Sequence, residues 1–431
     1  MRVAVVGGGI AGLTAAWELS QAGHEPVVFE GSERIGGKLL TGEVGGLTLD
    51  LGAESILARR PEAVGLIERI GLGDRVVHPA TTRAGVWTRG AVRPLPPTVL
   101  GVPSDVDAAL ASGVVETVEA RSVPLADEDV SVAEFVAARA GREVVDRLVE
   151  PLLGGVYAGH ADALSLRAAA PQLAELGADP VTAAGAPRPA VDGPVFAGLV
   201  GGVGSLPSAL AEASGSEVRL GEPVRLVEPA DDGWQVDAER FDAVVMAAPA
   251  PAAARLLAVA APEAAFTLAG VDYASVALAT FVFDDVVELE GSGFLVPPVD
   301  GRFVKAATFS SNKWDWVGAS GKTVVRASVG RAGDKAVLPM SDADLTGRVL
   351  ADLREAVGPL PEPADFYVQR WGGALPQYEV GHLDRVRAVR SSVAGVRGLE
   401  VCGAAYDGVG IAAVVGSAAE AVRRLLDEAG E

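Results

Sequence analysis

Arg2-Val3-Ala4-Val5-Val6-Gly7-Gly8-Gly9-Ile10-Ala11-Gly12-Leu13-Thr14-Ala15-Ala16-Trp17 opens the chain with an apolar run, a glycine turn and apolar residues at helical spacing. Arg2–Val6 reads as a buried strand. Leu13, Ala16, Trp17 and Leu19 mark one face of a helix that Gly23 closes. Pro26-Val27-Val28-Phe29-Glu30 is a second strand, which completes a βαβ unit of about thirty residues. Within it, Gly7 permits a tight turn, Gly9 lets the backbone approach a pyrophosphate, and Gly12 allows the helix to pack against the strand. Gly8, Ile10 and Ala11 complete the loop, and the helix N-terminus supplies partial positive charge. Glu30 stands eighteen residues after Gly12, where an acidic side chain accepts hydrogen bonds from a ribose; a solvated carboxylate at a strand end is the other reading.

A chain of 431 residues exceeds one ordinary core, so two or three domains are expected. Hydrophobic residues make up 49% of it and the mean hydropathy is +0.30. No apolar run reaches the ~18 residues of a spanning helix; Ala243–Ala254, the richest stretch, is broken by Pro249 and Pro251 and closed by Arg255. Met1-Arg2 leads straight into a strand with no secretory pattern, so a cytoplasmic location is expected. Cys402 is the single cysteine, which excludes an internal disulfide. His24, His78, His160 and His382 lack metal-ligand spacing, so no metal is expected. A formal charge of −21 disfavours nucleic acid and anionic membrane surfaces as partners.

Along the middle, prolines between Arg93 and Pro103 suggest a loop, and Ser131–Leu153 has helical spacing with Ser131 as N-cap and Glu134 three residues on. Ala174–Pro194, rich in Ala, Gly and Pro, reads as a surface connection or mobile loop. Strands are expected at 218–220, 224–227, 234–236, 241–247, 276–283, 293–296, 304–309, 323–329 and 399–403, with a final helix over 408–426.

Three further segments narrow the cofactor. Glu33-Arg34-Ile35-Gly36-Gly37-Lys38 puts a Gly-Gly pair and a cation directly after Glu30, an arrangement that a plain nicotinamide site does not need. Leu49-Asp50-Leu51-Gly52-Ala53-Glu54-Ser55 and Val401-Cys402-Gly403-Ala404-Ala405-Tyr406-Asp407-Gly408-Val409-Gly410-Ile411 follow in order. Together these resemble the dinucleotide pattern of the FAD-containing amine oxidase and protoporphyrinogen oxidase superfamily. Within it, Glu54–Arg60, Glu150–Gly159, Leu164–Arg167, Gly201–Pro207 and Trp371–Tyr378 resemble the soluble bacterial coproporphyrinogen III oxidases over nearly the whole chain. One departure is Ala412-Ala413-Val414-Val415, where members of the family usually continue with proline and later cysteine.

The resemblance implies an α/β fold: a discontinuous Rossmann-like FAD domain (1–58, 196–248 and 370–431), an α+β substrate domain (59–88 and 249–369) and a helical insertion (89–195). It implies FAD contacts at Gly7–Gly12, Glu30, Gly36–Lys38, Gly52–Ser55, Val224, Ala404 and Val409–Ile411. Val224 against adenine competes with Val224 as an ordinary core residue. For a carboxylated porphyrinogen, Arg59 and Arg60 are candidate partners of the propionates, or else a solvated basic turn before a helix at Pro61. Tyr157 lines the slot or is a core aromatic; His160 and Tyr406 are weaker candidates. The reaction implied is hydride transfer to flavin N5, with dioxygen reoxidising the flavin to give hydrogen peroxide, over three cycles and six electrons. No catalytic base is identifiable. Protoporphyrinogen IX remains an alternative substrate; another flavin amine oxidase or desaturase and a non-catalytic tetrapyrrole-binding flavoprotein remain alternative functions. Monomer and homodimer are both open.

Overall fold

The structure is a computed structural model that describes residues 1–187 and 193–430. Five parallel strands form its first sheet, in the spatial order Glu217–Arg219, Glu25–Phe29, Arg2–Val6, Ala243–Met246 and Leu399–Val401. Strands from the start, middle and end of the chain therefore lie side by side. Val3 and Val5 point into one apolar core and Ala4 and Val6 into another, as period two requires of a strand buried on both faces. The first core packs the helices Ile10–Gln21, Pro61–Arg69 and Ile411–Ala429 against the sheet, and the second packs Ala250–Leu256 and Pro262–Ala269. Arg2–Val6 has neighbours that leave it in opposite directions. Its C-terminal end is thus the crevice at which open α/β sheets bind ligands.

A second sheet of seven strands runs in the order Asp365–Pro376, Tyr273–Phe283, Thr323–Val329, Val304–Phe309, Gly293–Leu295, Gly85–Thr88 and Ala91–Pro94. Its pairs are antiparallel except Gly293–Leu295 with Gly85–Thr88. A helical unit with its own core, from Val106–Ser112 to Pro180–Gly185, leans on this sheet through the helix Glu150–Tyr157.

Several expectations are corrected. Helix Pro61–Arg69 packs into the dinucleotide core through Ala63, Leu66 and Ile67, so it does not go with the second sheet. The hairpin Gly85–Thr88/Ala91–Pro94 crosses the boundary expected at 89, and Asp365–Pro376 crosses the one at 370. The two helices at 250–269 pack on the parallel sheet, beyond the boundary at 248. Val224 precedes its strand, which begins at Val227 because the loop at 225–226 is instead held by the Asp237 carboxylate. Ser131–Leu153 is no single helix: Ser131 Oγ caps Val132–Ala140, accepting from Glu134 N at 3.0 Å, and Gly141 at φ 95° ends it. A π turn, Val145–Val149, then leads into Glu150–Tyr157. The connection expected at 174–194 contains the helix Pro180–Gly185, capped by Asp179, and lies partly outside the described residues.

Candidate active site

The glycine loop occupies the crevice. Gly7 has φ +115°, and a Cβ there would lie 2.9 Å from Ala247 O; a Cβ on Gly12 would lie 1.8 Å from Gly7 O. Only glycine fits either position. Gly9 is the N-cap of Ile10–Gln21 without a side chain to cover the end, so the first-turn N–H groups of Ile10 and Ala11 stay available to an anion. Gly36 N donates to Gly8 O at 2.8 Å, which brings Gly36 and Gly37 alongside the loop.

Glu30 is not merely solvated. Its Oε2 accepts from Gly8 N and its Oε1 from Ser32 N, both at 2.8 Å, leaving acceptor capacity on both oxygens for a ribose diol. Lys38 is half-buried, and burial lowers its amine to about 8. Val224 is half-buried against the second core.

Asp50 ties the Gly52 segment to the motif at 201–205, accepting from Gly204 N at 2.8 Å and Val203 N at 3.0 Å. Burial pushes its carboxyl up to about 6 against the pull of these donors. Gly52 packs so closely that a Cβ would lie 2.0 Å from Lys38 O, and Trp371 Nε1 donates to Leu51 O at 3.3 Å. Ala53 stays exposed. The carboxylate of Glu54 pairs with Lys313 Nζ at 2.6 Å and with Arg326 Nη1, while Arg326 Nη2 donates to Gly52 O at 2.6 Å. Lys313 Nζ also donates to Ser55 Oγ at 2.8 Å. Burial raises the Glu54 carboxyl, but the two cations outweigh it and hold the group down at about 2.

The C-terminal segment closes the crevice. A Cβ on Gly403 would lie 3.6 Å from the Ala11 Cβ, so the two chain ends touch here. Ala404 O accepts from the Tyr378 hydroxyl and Gly408 N donates to it, both at 2.7 Å. Val409 is half-buried, and Gly410 is the exposed N-cap of the nineteen-residue helix Ile411–Ala429. A second helix N-terminus is thereby presented. In Ala412–Val415, the departure from the family pattern, Ala412, Val414 and Val415 are buried in the first core and Ala413 is buried beside Gly408, so the change is absorbed as packing.

The second sheet supplies a cleft. Leu278, Ser328, Ala306 and Leu295 lie opposite one another on four adjacent strands, and each is partly exposed although all four strands have neighbours on both sides. Two residues along, on the same face, Arg326 reaches Glu54 and Gly52. This floor therefore opens towards the segment expected to touch the flavin. Gly155 faces Leu295, to which a Cβ would come within 3.7 Å, and is itself exposed, so the helix backbone meets solvent beside the floor there.

The other candidates separate. Arg59 is exposed without a partner among the described residues, whereas Arg60 is paired with Glu62 at 2.7 Å. Tyr157 lies in the core of the helical unit, 7% exposed, with its hydroxyl 3.5 Å from Ala169 O; burial pushes that hydroxyl up to about 12. Tyr406 is buried in the second core with an unpartnered hydroxyl. His160 bonds Glu150 at 3.0 Å. The residues not foreseen are Lys305, Lys313, Arg326 and Arg331. Their signal was available: Lys305 and Arg326 interrupt otherwise apolar strands, where a charge demands a partner. A surface depression of about 790 Å³ around Met1, Trp234 and Gly398 lies at the opposite end of the parallel strands, away from the glycine loop.

The family model for flavin-containing amine oxidoreductases matches residues 10–426. The chain belongs to that family. It is thus an FAD-dependent oxidoreductase, and its glycine loop, the Glu30 carboxylate beside it and two helix N-termini suit the dinucleotide. A coproporphyrinogen III oxidase of Mycobacterium tuberculosis is 38% identical, over 98% of this chain and 97% of its own length. The chloroplast protoporphyrinogen oxidase 1 of Arabidopsis thaliana is 28% identical over 96% of this chain and 86% of its own. A crystal structure from Exiguobacterium sp. 255-15, provisionally named a protoporphyrinogen oxidase, superposes with a TM-score of 0.87 at 32% identity, covering 100% of this chain and 99% of that one. Among the described residues no helix is long and apolar enough to cross a membrane.

Proposed function

We propose that this chain oxidises coproporphyrinogen III to coproporphyrin III with dioxygen, releasing three hydrogen peroxide per porphyrin, in haem biosynthesis. The observation that carries the reading is the length of the likeness. Identity to the mycobacterial coproporphyrinogen III oxidase runs over 98% of the chain, through the cleft-building middle as well as the dinucleotide motifs. Bound FAD supplies the hydride acceptor and the reaction with dioxygen. The chain's own residues place the reactants and exclude water. The floor of Leu278, Ala306 and Leu295 offers an apolar seat for a macrocycle. Glu54 stays ionised between Lys313 and Arg326, so it fixes the Gly52–Ser55 segment and takes no proton. The reading includes a cytoplasmic location, with monomer and homodimer both compatible. Protoporphyrinogen IX is the second substrate, favoured by the Arabidopsis relative.

Turnover tests this. Purified protein given either porphyrinogen under air should produce porphyrin fluorescence and peroxide faster than the enzyme-free control, and faster from coproporphyrinogen III. Rates at the autoxidation background for both substrates reject the oxidase; a preference for protoporphyrinogen IX rejects the substrate assignment.

A further inference from the structure

At the helix end of the cleft floor, positive charge collects with too little to balance it. Lys305 follows Val304 at a break in the strand register and is only 7% exposed, yet its ammonium has a single polar contact among the described residues, Gly154 O at 3.5 Å. Arg331 reaches the same residue from the turn that follows the neighbouring strand Thr323–Val329. Its Nη2 donates to Val296 O at 3.1 Å, but its Nη1 is buried with no partner, in the space where Gly154 has no side chain: a Cβ there would lie 2.3 Å away. The one nearby carboxylate, Glu150, is engaged elsewhere, accepting from His160 Nδ1 at 3.0 Å and Ala161 N at 2.6 Å. The other ring nitrogen of His160 faces Ala332 O at 3.3 Å, and the bond to Glu150 raises its pKa above the usual imidazole value. Two basic side chains, Lys305 and Arg331, therefore face one carboxylate that is already occupied, and burial beside Arg331 lowers the Lys305 amine to about 7. Buried charge this poorly matched is costly unless an anion completes it.

We infer that Lys305 and Arg331 form a carboxylate-binding subsite that receives a propionate of the macrocycle lying on the Leu295–Ala306 floor. The inference rests on the proposed porphyrinogen reading and deepens it. Ala306, next to Lys305, belongs to the partly exposed row, and Gly155, next to Gly154, is exposed where the helix lies over Leu295. A carboxylate approaching beside Gly155 meets the Lys305 amine and a guanidinium N–H directed at one residue. The subsite also favours a tetracarboxylate, since a ring with four propionates presents one to this corner in more orientations than a ring with two.

Equilibrium binding of coproporphyrin III and of its uncharged tetramethyl ester, followed by porphyrin fluorescence, tests this without turnover. Lys305→Met and Arg331→Gln should each weaken coproporphyrin III binding by about 10-fold or more, the worth of one charge-assisted hydrogen bond. Ester binding should not change. Lys305→Arg keeps the charge and should bind within a few-fold of the parent, which separates lost charge from lost fold; bound flavin absorbance reports on folding in each variant. Equal coproporphyrin III affinity in the parent and in a folded Lys305→Met or Arg331→Gln overturns the subsite. So does a parent that binds acid and ester alike. If the parent binds neither porphyrin, the porphyrinogen reading itself has failed.

Discussion

Glu54 is the residue at which charge and architecture meet. Its side chain is 11% exposed and carries one ion pair from the second sheet, to Arg326, and one from the short helix Ser310–Lys313, to Lys313, so it ties the parallel-sheet half of the molecule to the cleft floor. Removing one member of such a set leaves buried charge uncompensated, at a cost of about 3–5 kcal/mol. Glu54→Gln is therefore expected to lower the stability of the protein by that order and to loosen FAD, read by denaturant unfolding and by flavin released on dilution. The pH dependence has a defined sign. With its carboxyl held near 2 in the fold against 4.5 when free, Glu54 stabilises the protein fully above pH 4.5 and loses that contribution as pH falls towards 2. The acid limb of unfolding should be shallower in Glu54→Gln than in the parent. Superimposable limbs would assign the acid sensitivity elsewhere.

Among the elements, the helix Glu150–Tyr157 depends on what it lacks. Gly154 and Gly155 bring its backbone close to the sheet, one over Arg331 and one over Leu295. Gly154→Ala should drive the guanidinium from its place and raise KM for coproporphyrinogen III while FAD remains bound; an unchanged KM would show that Arg331 accommodates the methyl group at no cost to binding. The sequence announced some elements and concealed others for the same kind of reason. Arg2–Val6, its helix and Glu25–Phe29 were legible because a local glycine pattern dictates them, and Thr323–Val329 and Val304–Phe309 because β-branched runs are bounded by turns. Asp365–Pro376 was not legible as a strand, since Arg370, Trp371, Gly372 and Gly373 break its pattern and only pairing with Tyr273–Phe283, about ninety residues earlier, stabilises it. The helices Asp342–Val357 and His382–Ala394 carry usable signals, Ser341 as an N-cap for the first, but lie outside the family motifs that guided the reading. In the site, the glycines and Glu30 were visible from spacing. Arg331 was not, because its meaning comes from Gly154 on a distant helix, and the charge of Lys305 in an apolar strand signals a partner without saying which.

Over the whole molecule, the chain closes on itself: residues 2–6 and 399–401 lie in one sheet, separated only by Ala243–Met246, and Gly403 meets Ala11 at the crevice. The floor built by the second sheet is tied to the Gly52–Ser55 segment through Arg326. A surface with a net charge of −21 repels a polycarboxylate at long range, so the affinity for one must come from cations held inside. The account as a whole requires that the flavin held between the chain ends exchange electrons with a macrocycle in the cleft. Anaerobic mixing with coproporphyrinogen III tests that most directly. The visible absorption of the bound flavin should bleach as porphyrin absorption appears, and return when air is admitted; a flavin band that persists in the presence of excess coproporphyrinogen III, or a protein that carries no flavin after reconstitution with FAD, would contradict it.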